Sequence, residues 1–249
     1  MRFLLLSSVS LCVIIFFSCS NDREHIGTVK IVDSIKDIIP VHQHKDTSKL
    51  EHELISQGLV NIKTLDSTIR VALHYSTSFN FLNKPMYAGL QDCYLPCEVA
   101  IKLANAQYFL KQDFPGYSII VFDAARPLHI QKKMWDELKL PPAQKINYLA
   151  HPGDISLHNY GAAVDVGIIG SNDVLLHMGT PFDFFGELSE PKRETYFYKT
   201  GALTENALSN RLILRKCMLK AGFTIITSEW WHFNATSKAD AAKRYTLIQ

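Results

Sequence analysis

The chain has 249 residues, of which 47% are hydrophobic and 20% charged, and its formal net charge is +2. That length suits one globular domain with an additional segment, and the apolar content excludes wholesale disorder. A near-neutral balance with no basic stripe and no aromatic–basic interleaving excludes nucleic acid as an expected partner.

Met1 to Cys19 reads as a targeting segment. Arg2 is the lone charge of a short n-region, and Phe3 to Phe17 is a mostly apolar run too short for a comfortable membrane span. The run ends in Phe16-Phe17-Ser18-Cys19, and the chain turns polar at Ser20-Asn21-Asp22-Arg23-Glu24. A small residue before a cysteine at this point resembles a bacterial lipoprotein cleavage site. Residues 1–19 are therefore expected to be a signal peptide, with Cys19 becoming the lipidated first residue. Phe16 departs from the leucine usual at its position, and a plain secretory signal or an uncleaved anchor is the alternative. The expected location is outside the cytosol, in the periplasm or cell envelope, with a membrane contact through the N-terminal lipid. Residues 20–57 are polar and read as a tether. Their scattered histidines, His25, His42, His44 and His52, are not expected to bind metal.

Residues 58–249 read as one folded domain. Thr68 to Leu73 predicts a strand, and Tyr75 to Tyr87, rich in aromatic and turn residues, predicts a loop that shapes a pocket. Cys93 and Cys97 could pair in an oxidising compartment. Pro96 opens a helix whose apolar positions run from Val99 to Leu110, and Pro115-Gly116 ends it. Tyr117 to Phe122 predicts a buried strand that delivers Asp123-Ala124-Ala125-Arg126-Pro127. Leu128 to Leu140 has helical spacing, stopped by Pro141-Pro142. Asp165 to Ile169 predicts a second core strand, with Val174 to Leu176 pairing back as a hairpin. Thr204 to Ala221 predicts an amphipathic helix, with Leu208, Leu212, Leu214, Cys217-Met218 and Ala221 apolar and Gly222 as C-cap. Phe223 to Thr227 is a last strand.

Two stretches concentrate chemistry. Ser156-Leu157-His158-Asn159-Tyr160-Gly161-Ala162-Ala163-Val164-Asp165 holds an imidazole and a carboxylate, and Ser228-Glu229-Trp230-Trp231-His232-Phe233 holds one of each. His158 and Asp165 are seven apart, which on one uninterrupted strand places them on opposite faces. Gly161 is the residue that permits the bend needed for them to converge. His158, Asp165 and His232 then form a three-ligand zinc set with a fourth position open. Zinc in such a set lowers the pKa of bound water toward ~7 and polarises a carbonyl. Glu229 is the carboxylate left over, suited to a general base, and Arg126 is a candidate for stabilising charge that develops on oxygen. Each residue also has a plain structural role open to it. Arg126 could pair with Asp123, Trp230-Trp231 could be core or pocket wall, and His74, His129, His151 and His177 read as filler.

Taken together, Ser156-x-His158-x-x-Gly161-x-Ala163-x-Asp165 and Glu229-x-Trp231-His232 resemble the paired signatures of the zinc D-alanyl-D-alanine peptidases. Asp123-Ala124-Ala125-Arg126-Pro127, Met178-Gly179-Thr180-x-Phe182-Asp183 and Glu229-Trp230-Trp231-His232-Phe233 are similar, more narrowly, to D-alanyl-D-alanine dipeptidases of the VanX type. The resemblance runs from about Leu65 to about Phe233. It implies a single α+β domain with a Hedgehog-like fold, in which a mixed or antiparallel sheet is flanked by helices. One zinc ion would lie in a surface cleft on His158, Asp165 and His232. It also implies Glu229 as catalytic base and Arg126 as the group stabilising the tetrahedral intermediate. Ser156, Asp183 and Tyr75 would hold the substrate's free amino end. His177 stands where relatives usually carry an aspartate, which bears on substrate preference. The expected activity is hydrolysis of D-Ala-D-Ala or a related small dipeptide, in cell-wall peptide turnover or D-amino-acid scavenging. The alternatives are a carboxypeptidase or endopeptidase on longer muropeptides, and a non-catalytic zinc-binding surface lipoprotein.

Overall fold

A computed structural model describes residues 48–249. The expected signal peptide, Cys19 and nearly all of the expected tether lie outside the described residues. In chain order the elements are α1 (Lys49–Ser56), β1 (Val60–Asn61), β2 (Arg70–Val71), β3 (Tyr94–Leu95), α2 (Cys97–Asp113) and β4 (Ser118–Asp123). There follow α3 (Leu128–Glu137), the single turn α4 (Pro142–Lys145), β5 (Ala163–Ile169), α5 (Glu194–Lys199), α6 (Glu205–Lys220), β6 (Thr224–Ile225), β7 (His232–Asn234) and α7 (Lys238–Arg244).

The two apolar runs form the centre. β4 and β5 pair antiparallel and are buried almost throughout, as strands built around continuous apolar runs are. β2 joins β4 in parallel, while β7 and β6 extend the other side antiparallel, giving one mixed sheet in the order β2-β4-β5-β7-β6. A separate antiparallel pair joins β1 to β3. The fold is thus the expected α+β type.

Helix α2 buries Val99, Ala100, Leu103, Ala106 and Leu110 at helical spacing, and it packs on β4 and on α6. α6 starts at Thr204, whose hydroxyl accepts from Ala207 N, and Gly222 follows its end at φ 85°. Its buried face differs from the expected one. Ala207, Asn210, Arg211, Leu214, Cys217 and Met218 are inside, while Leu212 is exposed. A charged side chain occupies a place in the core that the apolar pattern assigned to leucine.

Several expectations are corrected. Residues 49–56 fall in the stretch read as tether, but they form α1, capped by Ser48, with Leu50 and Leu54 buried in the main core. The folded part therefore starts before residue 58. Cys93 is a free, buried thiol, so the pairing with Cys97 is not made. The strand expected over Thr68–Leu73 pairs only at Arg70–Val71, and the helix from Leu128 ends at Glu137. The Val174–Leu176 return makes a single bridge, Leu175 to Ile169. Strand β7 has no counterpart among the expected elements. Among the described residues no helix is long and apolar enough to cross a membrane.

Candidate active site

Three neighbouring strands place the chemistry in one row. Asp123 on β4 lies opposite Asp165 on β5, and Asp165 lies opposite His232 on β7. The β4–β5 register shifts between Val121 and Asp123, so Phe122 is the extra residue of a bulge. Without it Phe122, not Asp123, would face Asp165. Residues directly opposite share a face, so the bulge is what brings the two aspartates to the same side.

His158 comes to this row from a short turn rather than a strand. Leu157–Tyr160 is one 3₁₀ turn, capped by Ser156 and closed by Gly161 at φ 61° and ψ 21°. The left-handed glycine ends the turn and lets the strand begin at Ala163. The parity conflict between His158 and Asp165 is resolved in that way. A Cβ on Gly161 would also meet Pro96 Cδ at 2.6 Å, so nothing larger fits.

His158 Nε2, Asp165 Oδ1 and His232 Nδ1 form a triangle. Its sides are 3.3 Å between the two nitrogens, 3.5 Å from His158 to Asp165 and 3.0 Å from His232 to Asp165. Two ligands about 2.0–2.1 Å from a tetrahedral zinc ion stand about 3.3 Å apart, so the triangle has the size of one face of such a site. The outer nitrogens agree. His158 Nδ1 lies 2.8 Å from the Ala124 carbonyl, and His232 Nε2 lies 2.7 Å from Asn234 Oδ1. Both contacts suit an N–H donor, which leaves the lone pairs of Nε2 and Nδ1 facing inward. His158 and Asp165 are buried. Burial works against a charged Asp165, but the two histidines beside it prevail and hold its carboxyl below the usual range. The donor set fits zinc.

Glu229 stands beside this triangle, with Oε2 4.0 Å from His232 Nδ1 and its side chain 31% exposed. Burial pushes its carboxyl above the ordinary value. Arg126 lies deeper. Its Nε donates to Asp123 Oδ2 at 3.0 Å and its Nη2 pairs with the same oxygen, while Tyr87 donates to Asp123 Oδ1. The pairing with Asp123 is therefore made, and it leaves Nη1 on the outer side of the fork. Burial works against the charge on Arg126, but Asp123 leads the groups that hold its pKa well above the ordinary value.

The Arg126 guanidinium lies 5.1 Å over the Tyr75 ring, and Tyr75 OH donates to Asp183 Oδ2 at 2.9 Å. Arg126, Tyr75 and Asp183 thus form one wall. Burial raises the Tyr75 phenol, which keeps its proton for that bond, and burial likewise pushes the Asp183 carboxyl well up. Asp183 adopts φ 59°, strained for a non-glycine residue. Ser156 accepts from His158 N as the turn's cap, and its hydroxyl oxygen keeps a second lone pair that can accept.

Asn159, Asn234 and Tyr87 also belong to the site, although no sequence motif marks them. Asn159 Nδ2 donates to the Arg126 carbonyl at 2.8 Å and its Oδ1 accepts from Ser156 N at 2.7 Å. Arg126 N in turn donates to the His158 carbonyl at 2.9 Å. The strap carrying Arg126 is so tied to the turn carrying His158. Asn234 shares a face with His232 because residues two apart on a strand do, a relation that only the observed strand β7 reveals. His74 packs on Phe79, Phe122 and Phe182, and His151 packs on Trp135.

A family model described as D-ala-D-ala dipeptidase matches residues 55–249. The chain belongs to the D-ala-D-ala dipeptidase family. It is 26% identical over 181 residues to a D-alanyl-D-alanine dipeptidase of Escherichia coli, covering 73% of this chain and 86% of that protein. It is 28% identical over 182 residues to one of Synechocystis sp., covering 59% and 71%. It is 24% identical over 183 residues to one of Enterococcus faecium, covering 66% and 85%. Membership makes the protein a metallopeptidase-type hydrolase acting on a small dipeptide, and the triangle of His158, Asp165 and His232 is a group able to hold its metal.

Proposed function

We propose that the protein is a zinc-dependent dipeptidase that hydrolyses D-Ala-D-Ala or a related small dipeptide, with Glu229 as general base. The observation that carries this reading is the zinc-sized triangle with a half-buried carboxylate 4.0 Å from one corner. Zinc held by His158, Asp165 and His232 would acidify water and polarise the scissile carbonyl.

The chain's own groups supply the rest. Glu229 Oε2 accepts a proton from the attacking water as its oxygen adds to the carbonyl carbon. It then returns that proton to the leaving amine nitrogen. A carboxyl raised by burial is better matched to both transfers near neutral pH. Arg126, kept charged and oriented by Asp123, directs donors at the oxygen on which negative charge develops. Asp183 takes the substrate's ammonium, with Tyr75 holding the carboxylate in place and the Ser156 hydroxyl oxygen accepting from an ammonium N–H. A cation arriving there offsets the burial that raises the Asp183 carboxyl. An anionic group at this place favours a free dipeptide over an N-blocked or longer peptide.

The N-terminal apolar run ending in Cys19 supports an exported, lipid-anchored protein of the periplasm or cell envelope, serving cell-wall peptide turnover or D-amino-acid scavenging. The test of the activity is to purify the protein without residues 1–19, strip and reload zinc, and follow alanine release from a panel of D,D-, L,D- and D,L-dipeptides. Zinc-dependent cleavage led by D-Ala-D-Ala is expected. Failure to cleave any dipeptide at one zinc per chain would overturn the reading.

A further inference from the structure

The residues that bear Asp183 form a loop without regular structure until the turn at Glu187, yet both ends of that loop are held by one buried side chain. Arg211 on α6 is 1% exposed. Its Nε donates to the Met178 carbonyl at 2.6 Å, and its Nη2 donates to the Leu188 carbonyl at 3.0 Å. Those acceptors flank Asp183, ten residues apart. The neighbouring Asn210 adds a bond from Nδ2 to the His177 carbonyl at 2.9 Å.

The fork is itself fixed. Nη1 pairs with Glu194 Oε1 at 3.4 Å, and that carboxylate is also bound by Arg215 Nη2 at 2.7 Å. The guanidinium lies 5.9 Å from the centre of the Trp230 ring, and Trp230 Nε1 donates to Thr180 Oγ1 inside the same loop at 2.8 Å. A Cβ on Gly179 would meet Leu203 at 2.4 Å and Arg211 Nη2 at 3.3 Å, so the backbone is drawn tightly onto the clamp.

We propose that Arg211 is the positioning residue of the ammonium subsite: it clamps the 178–188 loop so that Asp183 stays aimed at a substrate's free amino group. The inference rests on the reading of Asp183 given above. A buried arginine is an unusual choice for mere filling, because its burial must be compensated by partners. Here two of its three donor directions are spent on the two ends of one loop. A planar fork can bridge two carbonyls at fixed separation, and an ammonium on a flexible stem cannot. Asp183 also holds a left-handed φ of 59°, which costs some backbone energy and which fixed surroundings help to hold. With the clamp loosened, the loop relaxes and the carboxylate leaves its bond to Tyr75. None of the metal-facing atoms lies on this loop.

The test compares wild type, Arg211→Lys, Glu194→Gln and Asp183→Asn as full-length zinc-loaded enzymes. Each is measured for KM and kcat on D-Ala-D-Ala, for zinc stoichiometry and for melting temperature. Arg211→Lys is expected to raise KM about tenfold with kcat within threefold and one zinc retained, in the same direction as Asp183→Asn. Glu194→Gln, which keeps the shape but drops the charge that orients the fork, is expected to raise KM about threefold. A general loss of structure would instead lower the active fraction and kcat with KM unchanged. The inference is overturned if Arg211→Lys folds with zinc and its KM is within twofold of wild type. Should Arg211→Lys not fold, an unchanged KM in Glu194→Gln overturns it. If Asp183→Asn itself leaves KM unchanged, the ammonium reading fails and takes this inference with it.

Discussion

Asn234 stands two residues after His232 on β7, and Phe233 between them points into the core. Its amide oxygen receives the outer nitrogen of His232, so it decides which nitrogen faces Asp165. Removing such a support costs about 10–100-fold in metal affinity. Asn234→Ala is expected to weaken zinc by that factor in a competition titration with a chromogenic chelator, with little change in fold, since the side chain is only half-buried. Unchanged affinity would show that His232 is oriented by something else. Gly161 is the residue on which the His158 turn depends. Gly161→Ala meets both a left-handed φ and Pro96, so it should cost at least about 1–2 kcal/mol in denaturant unfolding. A smaller loss would mean that the turn can rearrange. At this scale the sequence points to His158, Asp165 and His232, which the fold brings together as a group able to hold a metal. It does not point to Asn159 and Tyr87. Their bonds to the Arg126 carbonyl and to Asp123 reach groups more than thirty residues away, and spacing carries no trace of such partners.

Strands β4 and β5 are legible from short apolar runs, Ile119 to Phe122 and Val166 to Ile169, each bounded by polar or turn residues. β7 is not. Trp231, His232 and Phe233 are three bulky residues in a row, too short a run to show alternation. The bulge at Phe122 left no mark, since a one-residue shift in pairing depends on the partner strand. In α6 the apolar pattern misjudged the buried face, because the pattern treats arginine as outward-pointing while Arg211 finds carbonyls and a carboxylate inside. Helix α1 was hidden by its composition. Only Leu50 and Leu54 turn inward from an otherwise polar stretch, and both are buried in the main core. Leu54, 0% exposed, makes the consequence measurable. Leu54→Ala should destabilise the domain by about 2–5 kcal/mol, read from the denaturant midpoint, as deletions of buried side chains do. A loss under about 1 kcal/mol would return α1 to the status of an accessory segment.

Across the whole molecule, the site is assembled from parts that meet only in the folded state. His158 comes from a turn, Asp165 from the central strand, His232 from β7, and Glu229 from the connection before it. The C-terminal end ties the His158 turn to the start of α3, just after Arg126, since Leu128 N donates to the Ile248 carbonyl and Ile248 N donates to the Asn159 carbonyl. A metal that binds only this assembled set stabilises the fold by linkage. Zinc removal should therefore lower the melting temperature of the wild type, and Asp165→Ala should abolish the difference between zinc-loaded and stripped protein. An equal shift in both would place the stabilising metal elsewhere. The central claim is that Glu229 moves the proton while His158, Asp165 and His232 hold the metal, and Glu229→Gln separates the two. In that variant, kcat on D-Ala-D-Ala measured at one zinc per chain is predicted to fall about 10²–10⁴-fold with the metal retained. A variant that keeps its zinc and cleaves D-Ala-D-Ala at the wild-type rate would contradict the account.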